Sequence, residues 1–350
     1  MTLRRQPVSR LGGVIVACVI AATAAACGTA SSTPGAASSD GSGPGSTVAA
    51  SAAPTSMTLT RPSAPARPTQ AGTVMAWGDN TQGQMAVPAG LTGVVAVAAG
   101  DQFSLALKSD GTVVGWGSND AGETQIPAGL SGVDAIAAGS SFGIALKSDG
   151  TLVGWGDETD NQASPPDGLS GVVAIAAGGS HALALESDGT VVAWGSDANG
   201  ETDIPAGLTN VVAISAGYDF SLALLANGTV VAWGDKYPTD TPSGVTKVPA
   251  GLSGVAAISA GYTHNLVLKA DGTVASWGNN SDGQTTIPAG LAAVAVAAGG
   301  NFSLALKSDR TVVAWGGNQS GQTTLPAGLG NVVAIDAGGS HALAIVVSGS

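Results

Sequence analysis

Seven tryptophans, each followed by glycine, divide the C-terminal four-fifths of the chain at an almost constant step: Trp77, Trp116, Trp155, Trp194, Trp233, Trp277 and Trp315, spaced by 39, 39, 39, 39, 44 and 38 residues. A fixed period of this size means one supersecondary unit copied around an axis or along a line, because a unit so short cannot bury its apolar face alone. The period therefore decides the architecture before any single residue is considered.

One unit is clearest over residues 172–204. Val172 to Gly178 is a β-run ending in glycine (strand A), and His181-Ala182-Leu183-Ala184-Leu185 alternates as a half-buried strand (B). Asp188-Gly189 predicts a two-residue type I′ hairpin with positive φ at both central positions. Thr190 to Gly195 forms strand C, and Glu201-Thr202-Asp203-Ile204 before Pro205 reads as a short outer strand D, where a missing N–H is tolerated. Four antiparallel strands in about 39 residues describe one propeller blade. The chain enters on strands C and D and leaves on strands A and B (Val332 to Ala337, His341 to Val346), so its ends are expected to complete a seventh blade. The predicted fold is all-β: a seven-bladed propeller of four-stranded blades over 72–347, closed by its own termini without exposed edges.

Composition narrows the function. Residues 72–350 carry seven basic and 23 acidic side chains, a net charge of −16, which repels phosphate backbones and excludes nucleic acid. Both cysteines, Cys18 and Cys27, precede the repeats, so no disulfide and no cysteine-based metal pattern falls within them. Arg4, Arg5 and Arg10, the uncharged run Leu11 to Ala26 and the small residues Ala24-Ala25-Ala26 have the layout of an export signal over 1–26. Cys27 stands where a bacterial lipoprotein carries its lipidated cysteine, although Ala24 replaces the usual leucine; free secretion is the alternative. Residues 27–71, almost all Ala, Ser, Thr, Pro and Gly, are expected to form a disordered tether. Membrane contact is expected only through the lipid, and the protein as a monomer.

The segment Ala99 to Gly117, Ala-Gly-Asp-Gln-Phe-Ser-Leu-Ala-Leu-Lys-Ser-Asp-Gly-Thr-Val-Val-Gly-Trp-Gly, resembles the repeat of the regulator of chromosome condensation superfamily. With Gln322-Thr323-Thr324-Leu325-Pro326 it is most similar to the short bacterial form, whose members include a secreted β-lactamase-inhibitory protein. The resemblance implies a propeller whose loop face grips a protein. Nuclear members exchange guanine nucleotide through an inserted wedge and bind chromatin. Here the only insertion is five residues between Trp233 and Pro249, and the charge is wrong for chromatin. Every tryptophan occupies the Trp-Gly slot, so none is spare for a gripping face.

Repetition separates slots that the fold needs from slots left free. His181, His264 and His341 share the first position of strand B with Phe103, Phe142, Phe220 and Phe302. A slot shared by His and Phe is a packing slot, which removes any His-based triad or zinc site. The C–D loops, such as Asp79 to Gly83 and Asn279 to Gly283, are acidic and amide-rich but lack the alternating acids and distant glutamate of calcium loops. No catalytic constellation, cofactor motif or metal set is present, and the chain reads as a binding module rather than an enzyme. The variation between copies falls on the A–B and C–D loops. All three tyrosines lie there: Tyr218 and Tyr262 in consecutive A–B loops, Tyr237 in the insertion. With Asp219, Lys236 and Thr263 they form the candidate partner-binding sector, the partner being a protein or, alternatively, a cell-wall or surface glycan. Inhibition of a secreted or surface hydrolase is the sharpest form of the protein reading.

Overall fold

A computed structural model describes residues 70–235 and 244–348. The expected export signal, nearly all of the tether, Cys27, Lys236 and Tyr237 lie outside the described residues. The described residues contain no helix. Their 21 strands form seven three-stranded antiparallel sheets. In the first sheet Val94–Ala99, Phe103–Lys108 and Val113–Gly117 take the A, B and C positions. The seventh sheet draws A and B from Val332–Ala337 and His341–Val346, and C from the opposite end of the chain, Thr73–Gly78. Trp77 lies opposite Ala342 there, and Gly78 opposite His341. Each A strand touches the A strand of the next sheet, and the last touches the first, so the ring of inner strands is closed.

The core lies between sheets. Trp116, Val97 and Ala106 of the first sheet pack with Leu343 and Ile345 of the seventh; Trp77 packs with Phe302, Leu304 and Val312 of the sixth. B strands are sandwiched on both faces and read as continuous small-large runs, Phe103 to Leu107 being wholly buried. Each fully buried Leu, Ile or Phe contributes about 1.5–3 kcal/mol relative to exposure.

Two sequence expectations are corrected. The D segments are not strands, so the sheets have three strands rather than four. Their N–H groups turn inward on their own chain: Val87 donates to Met85 (2.8 Å), Ile126 to Thr124 (3.1 Å), Ile204 to Thr202 (2.9 Å). The following proline, as at Pro88, has no N–H, and the first D carbonyl is engaged elsewhere, as described below.

The B–C hairpins are not type I′ turns. Only the glycine is left-handed, Gly189 at φ 91°. Gly189 N–H returns to the Glu186 carbonyl (3.0 Å), and Asp188 Oδ1 accepts the N–H of Thr190 (2.9 Å). The aspartate thus closes the turn with its side chain instead of taking positive φ itself. Arg310 fills the glycine position of the sixth sheet and does take the left-handed conformation, at φ 65°.

Candidate binding face at the mouth of the ring

Main-chain bonds sort the loops onto two faces. The first residue after each C strand donates to an A–B loop carbonyl: Asp79 to Ser340 (2.8 Å), Asp235 to Asp219 (3.0 Å), Asn279 to Thr263 (2.8 Å). The A–B and C–D loops therefore sit side by side. On the other face Ser109 N–H reaches Gly93 (2.8 Å), tying the B–C turn to the segment before strand A.

Rigidity at the rim comes from one polar slot after each C–D loop, which the sequence reading passed over. Gln84, Glu123, Gln162, Glu201, Gln284 and Gln322 occupy it and are buried, with Val245 in the remaining copy. The side chain folds back to accept an N–H of its own loop: Gln82 to Gln84 Oε1 (2.9 Å), Ala121 to Glu123 Oε2 (2.8 Å), Asn199 to Glu201 Oε2 (2.7 Å). The carbonyl of the same residue accepts the indole N–H of the following sheet: Trp116 to Gln84, Trp155 to Glu123, Trp194 to Gln162, Trp233 to Glu201, Trp277 to Val245, Trp315 to Gln284, and Trp77 to Gln322, all within 2.7–3.0 Å. Every sheet is thereby clamped to the one before it, and the tryptophans are spent on packing, as the sequence implies.

The histidines follow the same logic. His181 Nε2 lies 2.9 Å from Ser221 Oγ, His264 from Ser303, and His341 from Ser104. Each serine donates its own proton to the D carbonyl already holding an indole, as Ser221 does to Glu201 (2.9 Å). The imidazole must then donate from Nε2, which leaves Nδ1 unprotonated; all three Nδ1 atoms are buried without a partner. Burial lowers each histidine to about 4, so all three are neutral at pH 7. These are packing groups sealed from substrate. Among the described residues no set of three or more His, Cys, Asp or Glu side chains could hold a metal ion.

The central channel opens among the A–B loops. A cavity of about 70 Å³ lies on the axis, lined by the Ala-Gly ends of all seven A strands together with Asp101, Tyr218 and Tyr262. Six junctions around this mouth carry a backbone bond from one A–B loop to the next, such as Gly179 to Tyr218 (3.0 Å) and Gly339 to Gly100 (3.2 Å). At the remaining junction the Tyr218 and Tyr262 rings pack instead, centroids 5.0 Å apart and tilted by 49°.

From there Tyr262 reaches over the mouth and donates its phenol to Asp101 Oδ1 in the first sheet (2.7 Å). Its path crosses the sixth and seventh sheets, whose equivalent residues are Gly300 and Gly339. A β-carbon on Gly339 would run into the Asp101 carboxylate and lie 2.8 Å from the Tyr262 hydroxyl. Burial first, then the Asp101 charge, pushes the Tyr262 phenol well above its ordinary value. Tyr218 stays 43% exposed, the sole large apolar side chain classed as exposed among the described residues.

The structure therefore brings Tyr218 and Tyr262 together, at the axial mouth. Asp219 and Thr263 adjoin them, with their carbonyls tying loop to loop and their side chains half-exposed. Burial, then Glu201 and Asp235, raises the Asp219 carboxyl.

The model of the regulator of chromosome condensation (RCC1) repeat matches residues 94–123, 133–162, 172–201, 211–236, 255–284 and 293–322. The chain belongs to the RCC1-repeat family. A search of curated proteins finds no significant match. Among solved structures it is similar to Prp20p of Saccharomyces cerevisiae (TM-score 0.68, 19% identity, 81% of this chain and 93% of that one). It is also similar to human WBSCR16 (TM-score 0.64, 18% identity, 80% and 100%) and to the ectodomain of the Physcomitrella patens receptor kinase CR4 (TM-score 0.57, 26% identity, 69% and 68%). These likenesses establish the propeller fold.

Proposed function

We propose that this chain is an exported RCC1-repeat propeller, lipid-anchored through Cys27 and held off the membrane by residues 27–71, that binds a protein through its A–B/C–D loop face and performs no catalysis. The observation that carries the reading is the exposed ring of Tyr218, backed by Tyr262 on a rim in which the loops are fixed by internal hydrogen bonds. A rigid aromatic on a preorganised surface gives large contact area at small entropic cost. The yeast neighbour Prp20p is described with its binding to Gsp1p and histones, which supports a protein as the class of partner. Inhibition of a secreted or surface hydrolase, such as a β-lactamase, is the sharpest form of the proposal.

The test is affinity capture from the native cell-surface fraction with the full chain, beside a Tyr218→Ala bait of matched melting temperature. A protein held by the first bait and lost from the second supports the proposal and identifies the enzyme to assay. Equal capture by both, or binding displaced only by sugars, defeats it. Replacing Cys27 by Ala should move the protein from the membrane to the soluble fraction; no movement removes the lipid anchor from the reading.

A further inference from the structure

The two faces of the ring differ in charge. Most described basic side chains lie at the far ends of the B strands or in the B–C turns, where Lys108, Lys147 and Lys307 pair with Asp110, Asp149 and Asp309 at 2.8–2.9 Å. Arg310 and Lys269 belong to the same face, and Lys247 stands in a D segment. On the mouth face the described A–B and C–D loops contain no lysine or arginine. Six of the seven C–D loops carry a carboxylate that is not buried: Asp79, Asp120, Asp157, Asp197, Asp235 and Asp282. Asp101 and Asp219 add two more beside the tyrosines. The described loops of the mouth therefore set up a negative field, and a concave rim focuses it.

The second observation is independent of the acids. The single exposed aromatic among the described residues stands at the centre of this field, at the axis, with its neighbour Tyr262 anchored across the mouth to Asp101. A tyrosine face attracts a guanidinium or ammonium ion through its quadrupole, and more strongly when other carboxylates surround it.

We infer that the mouth of the ring is a docking site for a cationic segment of a protein partner, with an arginine or lysine side chain seated on the exposed face of Tyr218 amid the loop carboxylates. The inference rests on the reading of the loop face as a protein-binding surface and adds the chemistry of what binds. Carboxylates steer the partner in, so association is fast at low salt and slows as salt rises; the tyrosine pair supplies the anchor.

The test titrates the full chain with a peptide of alternating arginine and serine, and with the same peptide carrying citrulline for arginine. The inference expects binding of the arginine peptide alone, weakening as salt is raised. Tyr218→Ala should weaken it about tenfold, as loss of a hot-spot aromatic does. Asp219→Lys should weaken it by a similar factor, while Asp149→Lys on the opposite face leaves it unchanged. Equal affinity for both peptides, no binding, or insensitivity to Tyr218→Ala overturns the inference. A captured protein that depends on Tyr218 but presents a neutral or acidic surface to it would leave the protein-binding reading standing and remove this one.

Discussion

The indole N–H of Trp77 donates to the main-chain carbonyl of Gln322 at 2.9 Å, across 245 residues of sequence. It is chemically the same bond that the six other tryptophans make to a residue only 31 or 32 positions earlier. At Trp77 it joins the first strand of the ring to its last repeat, so it can form only when the ring closes. Trp77→Phe leaves a buried carbonyl without its donor and a void beside it, a loss of roughly 2–4 kcal/mol. Trp194→Phe should cost a similar amount in urea unfolding. Deleting residues 72–88 is the larger test: it strips the seventh sheet of its C strand and the first sheet of the Gln84 carbonyl, and cooperative unfolding should vanish. A truncated chain that retains native near-ultraviolet dichroism would contradict ring closure as the source of stability.

The three histidines predict acid lability. Each has a folded value of about 4 against an ordinary 6.5, so between these limits the unfolded chain binds protons that the folded one refuses. Stability from neutral burial is complete above pH 6.5 and is lost as pH falls towards 4, by roughly 3 kcal/mol per histidine. Converting one junction to the pairing found at Phe142 and Ala182, by His181→Phe with Ser221→Ala, should make the melting temperature less steep between pH 6.5 and 4. An unchanged slope would mean that the imidazoles are not the acid-sensitive groups.

Asp336 runs the other way. One of its oxygens accepts the N–H of Ala99 (2.8 Å), and burial raises its carboxyl from 3.8 to about 7. Its folded form holds a proton that the unfolded form releases, so the residue is most favourable below pH 3.8 and loses that advantage as pH rises to 7. Ser215 and Ser259 fill the same slot and make the same bond to the next strand, to Ala260 and Ala298 at 3.0 Å, without a charge. Asp336→Ser should therefore stabilise the protein by about 1–3 kcal/mol at pH 8, with the gain shrinking towards pH 4. A gain independent of pH would point to packing instead.

How far the sequence reached differs between levels. The Trp-Gly period and the alternation in strand B carry the ring, because inter-sheet packing repeats wherever the sequence repeats. The D segment was misread because Glu201-Thr202-Asp203-Ile204 has strand-like composition, whereas the competing bond from Trp233 to the Glu201 carbonyl belongs to another repeat. The serine partners of the histidines were legible and missed: Ser221, Ser303 and Ser104 are the second residues of the B strands following those of His181, His264 and His341, while Gly143, Ala182, Asn265 and Ala342 follow the phenylalanines. The juxtaposition of Tyr218 and Tyr262 could be read from their equivalent slots. The reach of Tyr262 to Asp101 could not, since it depends on the radius at which seven sheets close.

Arg310 tests a single backbone angle. It holds φ 65° where five other turns use glycine, at 79–91°. A left-handed residue with a β-carbon costs roughly 1 kcal/mol, and its charge makes none of the Lys–Asp pairs of these turns. Arg310→Gly should raise the midpoint of thermal unfolding by a few degrees, whereas Gly150→Arg should lower it by a similar amount. A lower midpoint for Arg310→Gly would mean that the arginine side chain repays its strain.

Tyr262 should betray its position in alkaline titration. Its phenol donates to a carboxylate and is largely shut off from water, so ionisation would place two negative charges 2.7 Å apart in a dry site. The folded value lies well above the ordinary 10.0, which means that the stability it contributes is complete below pH 10 and is lost only as the phenol is forced to ionise above it. The difference in tyrosinate absorbance between the wild type and Tyr262→Phe should stay flat through pH 10 and rise only when the protein unfolds. The same substitution removes a hydrogen bond to a charged acceptor and should cost roughly 1.5–3 kcal/mol. Gly339→Ala, whose β-carbon forces the phenol and Asp101 apart without removing either group, should move the missing tyrosinate signal to lower pH, burial still holding it above the ordinary value, in a chain that still melts cooperatively. If Gly339→Ala leaves the titration unaltered, burial and not the Asp101 charge holds the phenol above its ordinary value.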